Sequence, residues 1–141
     1  MKKRILIATL MICLMMIPSV AFGVTYSRAK TRTIVGQAAS YYHLSKSATN
    51  WLKNAAIDII YTGRHESGGS TSAGKGHSCV GILQFDSGWR LSASLKRMKK
   101  HLHIHGDWRL SGTMSLYRFV KSYKDGGKAA IHRHWKATLG R

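Results

Sequence analysis

Residues 51–66 read WLKNAAIDIIYTGRHE and contain the clearest structural pattern in the chain. Apolar side chains recur there at positions i, i+1, i+4, i+5, i+8 and i+9: Trp51, Leu52, Ala55, Ala56, Ile59 and Ile60. This spacing predicts an amphipathic helix with one broad apolar face. A helix that continued along the same face would direct Glu66, the only glutamate in the chain, inward with the core. Partial burial of that kind favours the uncharged acid over the carboxylate.

Apolar residues recur at helical spacing in four further segments, 34–42, 91–102, 116–123 and 131–139. Glycines close the last three of them: Gly106, Gly126-Gly127 and Gly140. Ser45 or Ser47 would cap the helix that contains Trp51. The pattern therefore predicts a small, mainly helical single domain. A short hairpin is the one β element that the loop between the helices could add.

The first 23 residues have the composition of a secretory signal peptide. The basic run Lys2-Lys3-Arg4 precedes an apolar stretch over 5–17, and Ala21-Phe22-Gly23 places small residues at a peptidase site. The apolar stretch is shorter than the ~20 residues that span a bilayer as a helix. We expect cleavage after Gly23 and export to the periplasm, the cell wall or the extracellular space. An uncleaved anchor is the alternative. A basic flexible arm over 24–33 would then precede a domain over 34–141.

The charge balance points to a polyanionic partner. Lys and Arg number 23 against 5 Asp and Glu, which gives a formal net charge of +18 at pH 7. Nucleic acid, an anionic membrane surface and the bacterial cell wall all carry the complementary charge. Export disfavours nucleic acid as the physiological partner and leaves the wall, with peripheral contact to an anionic membrane as a further option.

Two motifs follow one another around a glycine- and serine-rich stretch. Glu66-Ser67 opens the stretch, which runs over 67–80, and Gly81-Ile82-Leu83-Gln84 follows it. This order resembles the lytic transglycosylases of the SLT type, in the lysozyme-like superfamily. In that family a catalytic glutamate begins a Glu-Ser motif, and a Gly-Leu-Met-Gln or Gly-Leu-Phe-Gln motif follows after a loop. The segment 122–126 is a looser counterpart of a third family motif, with Lys124 where the family has asparagine.

The resemblance covers roughly residues 35–127 and implies a mainly α, α+β lysozyme-like fold with a Gly/Ser-rich active-site loop. It also implies cleavage of the β-1,4 bond between N-acetylmuramic acid and N-acetylglucosamine in peptidoglycan, with a 1,6-anhydro product. Glu66 would be the single general acid and base, and no cofactor or metal is expected. The residues predicted to bind substrate are Ser67, Gln84, Phe85, Trp89 and Tyr123. A secretion, conjugation or phage lysis apparatus would be a suitable partner.

Three other functions are compatible with the sequence. A hydrolytic lysozyme would use Glu66 with a second carboxylate, for which Asp86 is the one aspartate beside a motif. A non-catalytic wall-binding module would use the same fold and its basic helices. A cationic membrane-active protein would not depend on Glu66. Individual residues have structural alternatives too: Gln84 as a turn amide, Ser67 as a helix cap, Trp89 as a core ring and Tyr123 as a half-buried helix residue.

The histidines and cysteines do not predict a metal site. His101, His103 and His105 alternate, and His132 and His134 form a second pair. A spacing of two at a helix end does not direct three imidazoles to one point, as a zinc site requires. Cys79 is predicted to be a small buried residue. The alternative is a regulatory disulfide with Cys13 in an uncleaved precursor, as in signal-anchor phage endolysins.

Overall fold

The computed structural model describes residues 23–62, 67–76 and 78–140. The predicted signal segment up to residue 22, Cys13 within it, and Glu66 therefore lie outside the described residues. None of the helices in the described ranges is long and apolar enough to cross a membrane.

The described residues form a small, mainly helical domain, as predicted. Its helices are α1 (Arg28–Tyr41), α2 (Lys46–Tyr61), α3 (Ala93–His101), α4 (Gly112–His134) and the single turn α5 (Lys136–Leu139). A 3₁₀ turn, Trp108–Leu110, precedes α4. The described part of the chain contains no β-strand, only two isolated antiparallel bridges. Helix α1 packs against α2 and α4, and α3 and α5 pack at the periphery of this group.

Serine side chains define where the four longer helices begin. Each accepts a hydrogen bond from the backbone N–H three residues further on: Ser27, Ser45, Ser92 and Ser111. Such a cap satisfies one of the donors that a helix start leaves unpaired, and it is typically worth about 1 kcal/mol. Of the two serines considered for α2, Ser45 is therefore the cap.

One hydrophobic core joins the helices to the loop between α2 and α3. Leu52 and Ile60 of α2 and Phe119 of α4 are fully buried. They share one cluster with Ile82 and Phe85, each only 1% exposed. The apolar segment 80–85 therefore inserts into the core rather than lying over it, so its backbone position depends on the packing of the helices.

The segment 24–33 differs from the flexible arm that the sequence predicted. Tyr26 is buried, and its backbone N–H donates to the carbonyl of Gly69 at 2.8 Å. The hydroxyl of Tyr61 donates to the carbonyl of Tyr26. Helix α1 already begins at Arg28, because Ser27 caps it there. Most of its apolar residues lie on the buried face and its basic residues on the exposed face. The packed unit thus reaches back to residue 24, ahead of the predicted boundary at residue 34.

A single antiparallel bridge between Val80 and Phe85 is the observed counterpart of the predicted hairpin. Each residue donates its N–H to the carbonyl of the other at 3.1 Å. The four residues between them turn tightly, with positive φ at Gly81 (84°) and at Gln84 (52°). A Cβ placed on Gly81 would lie 1.8 Å from the carbonyl oxygen of Arg109. The turn therefore sits directly against the backbone that precedes α4.

The guanidinium of Arg109 also holds this turn in place. Its Nη1 donates to the carbonyls of Ser78 and Phe85, both at 3.1 Å. Its Nη2 pairs with Asp107 Oδ2 at 2.7 Å. These hydrogen bonds with Arg109 are the main cause that lowers the pKa of Asp107 below its ordinary value. The aspartate is thus kept ionised, and it keeps the arginine oriented toward the turn.

Two further sequence predictions can be compared with the helices. Helix α2 is described up to Tyr61, with Thr62 as its C-cap, so the inward direction predicted for Glu66 lies outside the described residues. Gly126-Gly127 was predicted to end a helix. The helical backbone is interrupted there, since Gly127 has non-helical dihedral angles (φ 65°, ψ −159°), and a second helical segment continues to His134. The predicted end is therefore observed as a kink within α4, and Ile131 beyond it is buried in the same core.

We expect Gly81→Ala to destabilise the protein far more than Gly106→Ala. Both glycines have positive φ, 84° and 74°, so alanine loses about 1–2 kcal/mol at either position. Only at Gly81 does the new Cβ collide with backbone, since nothing lies within 4 Å at Gly106. Urea unfolding should show a loss of about 3 kcal/mol or more for Gly81→Ala. Equal losses for the two variants would contradict the tight contact with Arg109.

Candidate functional site

A cleft lies between the turn at 80–89 and the C-terminal helices. Its inner cavity has a volume of about 210 Å³ and is lined by Ile59, Cys79, Leu83, Gln84, Asp86, Trp89, His134, Trp135 and Thr138. An outer cavity of about 440 Å³ adjoins it and is lined by Asp86, Gly88, Trp89, Arg90, Arg118 and His134. Three residues line both cavities, so we treat the two together as the cleft. Of the predicted site residues, Gln84, Asp86 and Trp89 meet here.

Ser67 joins the two sequence motifs. Its hydroxyl donates to the carbonyl of Ile82 at 2.7 Å and accepts from the N–H of Gly69 at 3.2 Å. The next residue, Gly68, donates its N–H to the carbonyl of Ile60 near the end of α2. The serine of the Glu66-Ser67 motif is thus bonded to the middle of the Gly81-Ile82-Leu83-Gln84 motif, 15 residues later in the chain. The hydroxyl of Ser67 therefore links the loop after α2 to the turn that contains Ile82, and Ser67 does not line the cleft.

Gln84 both shapes the turn and lines the inner cavity. Its Nε2 donates to the carbonyl of Gly81 at 2.7 Å and to that of Ala73 at 3.2 Å. These bonds use both N–H groups of the amide and fix the side-chain plane. The amide oxygen is the remaining polar atom of this side chain, and it can accept a hydrogen bond from a hydroxyl or an N–H of a ligand.

Trp89 provides the aromatic surface of the cleft. Its ring centroid lies 4.6 Å from that of Phe85 and 4.3 Å from the imidazole of His134. The guanidinium of Arg118 lies 4.7 Å from the ring centroid. The indole is half-buried and lines both cavities, as a surface for a flat apolar ligand face would. Its neighbours hold the ring in one orientation.

Phe85 does not contact the cleft, contrary to the prediction that it binds substrate. Its side chain is 1% exposed and packs against Trp89, Trp108 and Trp135. The position after Gln84 points into the core because Phe85 is bridged to Val80, and its ring fills the space between the tryptophans. Phe85 supports the rings that line the cleft.

Tyr123 is also separate from the cleft. Its ring packs at 5.6 Å on Trp51, near the start of α2. The residue of α2 that lines the cleft is Ile59, eight positions further on, which is about 12 Å along a helix. The weak third motif therefore lies away from Gln84 and Trp89.

Asp86 is exposed and lines both cavities. Its Oδ1 accepts from the N–H of Gly88 at 2.7 Å, which fixes the carboxylate at the rim. Among the described residues that line the cleft it is the only carboxylate. The aspartate that the hydrolytic alternative names therefore lines the cleft.

Residues near the C-terminus complete the cleft, and the sequence did not single them out for it. Trp135 donates its indole N–H to the carbonyl of Leu83 at 3.3 Å. That bond brings the region between α4 and α5 against the 80–85 turn. His134 was interpreted as one of several surface histidines. The signal that could have pointed to the cleft is the aromatic pair His134-Trp135 at the end of a predicted helix.

The cleft is electropositive. Arg118 donates from Nε to the carbonyl of Arg90 at 2.8 Å and from Nη1 to Ser122 at 2.6 Å. Burial lowers the pKa of Arg118 below its ordinary value, although it stays charged. Burial, followed by the charges of Arg133 and Arg118, lowers the pKa of His134 below 6.5. His134 therefore binds a proton less readily in the folded protein than in the unfolded chain.

The cysteine and the histidines give no metal site within the described residues. No group of three or more His, Cys, Asp or Glu side chains converges there. Cys79 is exposed at the cleft, which differs from the small buried residue that was predicted. It lies just before Val80, where the chain enters the core, so its side chain points outward.

No protein-family model, curated protein sequence or solved structure matches the chain. The resemblance to lytic transglycosylases therefore stays a prediction from the two motifs.

We expect the imidazole of His134 to titrate with a midpoint below 6.5, and Arg133→Gln to raise that midpoint without restoring 6.5. The exposed Arg133 disfavours the imidazolium by its charge, whereas the burial of His134 remains in the variant. Histidine resonances followed by NMR across pH 4–8 would measure both midpoints. Lys100→Gln removes a charge beside a different cavity and should leave the midpoint unchanged. A midpoint at or above 6.5 in the unaltered protein would contradict the electropositive setting.

Proposed function

We propose that the protein is an exported peptidoglycan lytic transglycosylase that cleaves the β-1,4 bond between N-acetylmuramic acid and N-acetylglucosamine, with Glu66 as its general acid and base. The observation that carries this proposal is the hydrogen bond from Ser67 to the carbonyl of Ile82. It ties the residue that follows Glu66 in sequence to the motif that supplies Gln84 to the cleft. Two motifs that are separate in sequence are thereby part of one structural unit.

The cleft suits a saccharide. The outer cavity lies within the range of about 300–1,000 Å³ that is usual for ligand sites. The half-buried indole of Trp89 offers a flat surface to the apolar face of a sugar ring. Close to it, the amide oxygen of Gln84 and the carboxylate of Asp86 can accept hydrogen bonds from sugar hydroxyls or an N-acetyl N–H. The positive charge of Arg118 and Arg90 suits a substrate that carries carboxylates.

The proposed reaction needs one acid and no water. Glu66 donates its proton to the glycosidic oxygen as the bond from that oxygen to C1 of the muramyl sugar breaks. The N-acetyl oxygen of the same sugar stabilises C1 as positive charge develops there. The Glu66 carboxylate then removes the proton from the C6 hydroxyl, whose oxygen closes onto C1 and displaces the N-acetyl oxygen. The 1,6-anhydro product leaves and Glu66 is protonated again.

Asp86 supports a second candidate, a hydrolytic lysozyme. Retaining and inverting glycosidases both place two carboxyl groups around the scissile bond. Asp86 is exposed at the rim, lines both cavities and is held by the N–H of Gly88. In this case water would attack C1 and the product would carry a reducing end.

We expect the purified protein to release 1,6-anhydro muropeptides from peptidoglycan, and Glu66→Gln to release none. Mass spectrometry distinguishes these products, because an anhydro end is one water lighter than a reducing end. Asp86→Asn should still form anhydro products, and Asp58→Asn, a change at an exposed carboxylate on α2, should match the unaltered protein. Reducing ends that disappear with Asp86→Asn would establish the hydrolase. No release by folded protein from several wall types would refute both.

We also expect Ser67→Ala to lower the rate of cleavage by about tenfold to a hundredfold. Loss of the bond to Ile82 loosens the coupling between the two motifs, and small displacements of catalytic groups are costly. The free energy of unfolding should fall by only about 1 kcal/mol. Ser70→Ala is the control, because the hydroxyl of Ser70 bonds to Ser72 and not to the 81–84 motif. A Ser67→Ala protein with unchanged activity would remove the main support for the proposal.

A further inference from the structure

A second concave surface lies away from the cleft, at the end of α3 and the turn that follows it. It has a volume of about 590 Å³ and is lined by Lys96, Lys99, Lys100, His103, Ile104 and His105. We call this surface the lysine pocket. None of its lining residues belongs to the cleft, and the proposed glycan cleavage makes no use of it.

The lysine pocket concentrates positive charge, and no carboxylate lines it. Of its three lysines, Lys99 interacts electrostatically with the nearby Asp107. The segment 96–105 contains four Lys and Arg residues and three histidines, and it has no acidic residue. Asp107 is the first carboxylate after it, and that group is bound to Arg109 at 2.7 Å. Cations that are held close together without carboxylates repel one another. Binding of an anion in the pocket would relieve this repulsion.

The backbone of the surrounding turn is ordered by one of these lysines. Lys99 donates from Nζ to the carbonyl of Gly106 at 2.7 Å, which closes the turn over seven residues. The N–H of Ile104 bonds back to the carbonyl of Lys99 at 3.1 Å. The concave shape is therefore built by hydrogen bonds of the chain itself. Lys96 and Lys100 are exposed and are available to a ligand.

The cations of the lysine pocket are lysines. No arginine lines it, so the bidentate pairing with which arginine binds a carboxylate or a phosphate is not offered there. Lysine binds phosphate as a compact point charge. The pocket has no Phe, Tyr or Trp side chain on which a nucleic-acid base could stack, and its only rings are the imidazoles of His103 and His105. Its single lining apolar residue, Ile104, is half-buried, whereas membrane insertion needs a broad exposed apolar face.

We propose that the lysine pocket binds the phosphate groups of an anionic phosphodiester polymer, and that it is a second binding site separate from the cleft. A polyol-phosphate chain presents single phosphates in series with neither bases nor acyl chains. That chemistry matches a concave pocket of three lysines and two histidines. Such a site would hold the protein on a phosphate-rich surface while the cleft remains free.

The test compares two double variants that lose the same charge. Lys96→Gln/Lys100→Gln removes the two exposed lysines of the pocket and leaves Lys99 in place. Lys46→Gln/Lys136→Gln removes two exposed lysines on other helices. The ligand is a synthetic poly(glycerol phosphate), and binding to the full protein is measured by calorimetry at two salt concentrations. Circular dichroism of each variant checks that the helices are retained.

We expect the pocket variant to bind poly(glycerol phosphate) at least about tenfold more weakly, and the control variant to bind within about twofold of the unaltered protein. Affinity should fall as salt rises, since the contacts are ionic. Poly-glutamate, a single-stranded oligonucleotide and anionic lipid vesicles should bind more weakly than the phosphate polymer. Equal losses in both double variants would show diffuse charge attraction and overturn the proposal. So would a preference for poly-glutamate, the oligonucleotide or the vesicles. Activity on peptidoglycan is not a readout here, so this test and that of the cleavage reaction fail independently.

Discussion

Arg109 and the turn it holds are the constraint on which the rest of the structure depends. The arginine donates to the carbonyls of Ser78 and Phe85, and Asp107 keeps its guanidinium in place. Between those carbonyls the chain makes one bridge, from Val80 to Phe85, and drives its apolar side chains into the core. A glycine is required at position 81 because its neighbour there is backbone. The described residues of the 67–90 region form no helix or strand, so hydrogen bonds such as those of Arg109 hold this region in place of regular secondary structure.

The cleft is a consequence of that insertion. Phe85 enters the core and carries Gln84 and Asp86, its two neighbours, to the surface on either side. The rings of Trp89 and Trp135 then pack against Phe85 and form the wall of the cavity. The bond from Trp135 to Leu83 closes the far side. The polar groups of the cleft are therefore positioned by a buried aromatic residue that does not itself line the cleft.

The positive charge of the chain serves two different surfaces. In the cleft, Asp86 lies beside the positive charges, and the cations there are arginines. Around the end of α3 no carboxylate lines the surface, and the lining cations are lysines. The two surfaces therefore present different donors, planar guanidinium groups at the first and compact ammonium groups at the second. A protein that works on a charged, insoluble polymer would benefit from one site for attachment and another for the reaction.

The sequence by itself determined the helical class, the helix α2 with a cap at Ser45 or Ser47, and the grouping of Gln84, Asp86 and Trp89, because each depends on local spacing or on residues a few positions apart. Only the tertiary structure decided that Tyr26 anchors the segment before α1, that Phe85 is buried and that Tyr123 lies on Trp51. It also decided that His134 and Trp135 border the cleft. Those outcomes depend on which side of a residue meets the core and on contacts between residues far apart in the chain, such as Tyr61 and Tyr26, 35 positions apart, or Trp135 and Leu83, 52 positions apart. Periodicity cannot specify such contacts, since it defines the face of a helix and not the element that this face meets.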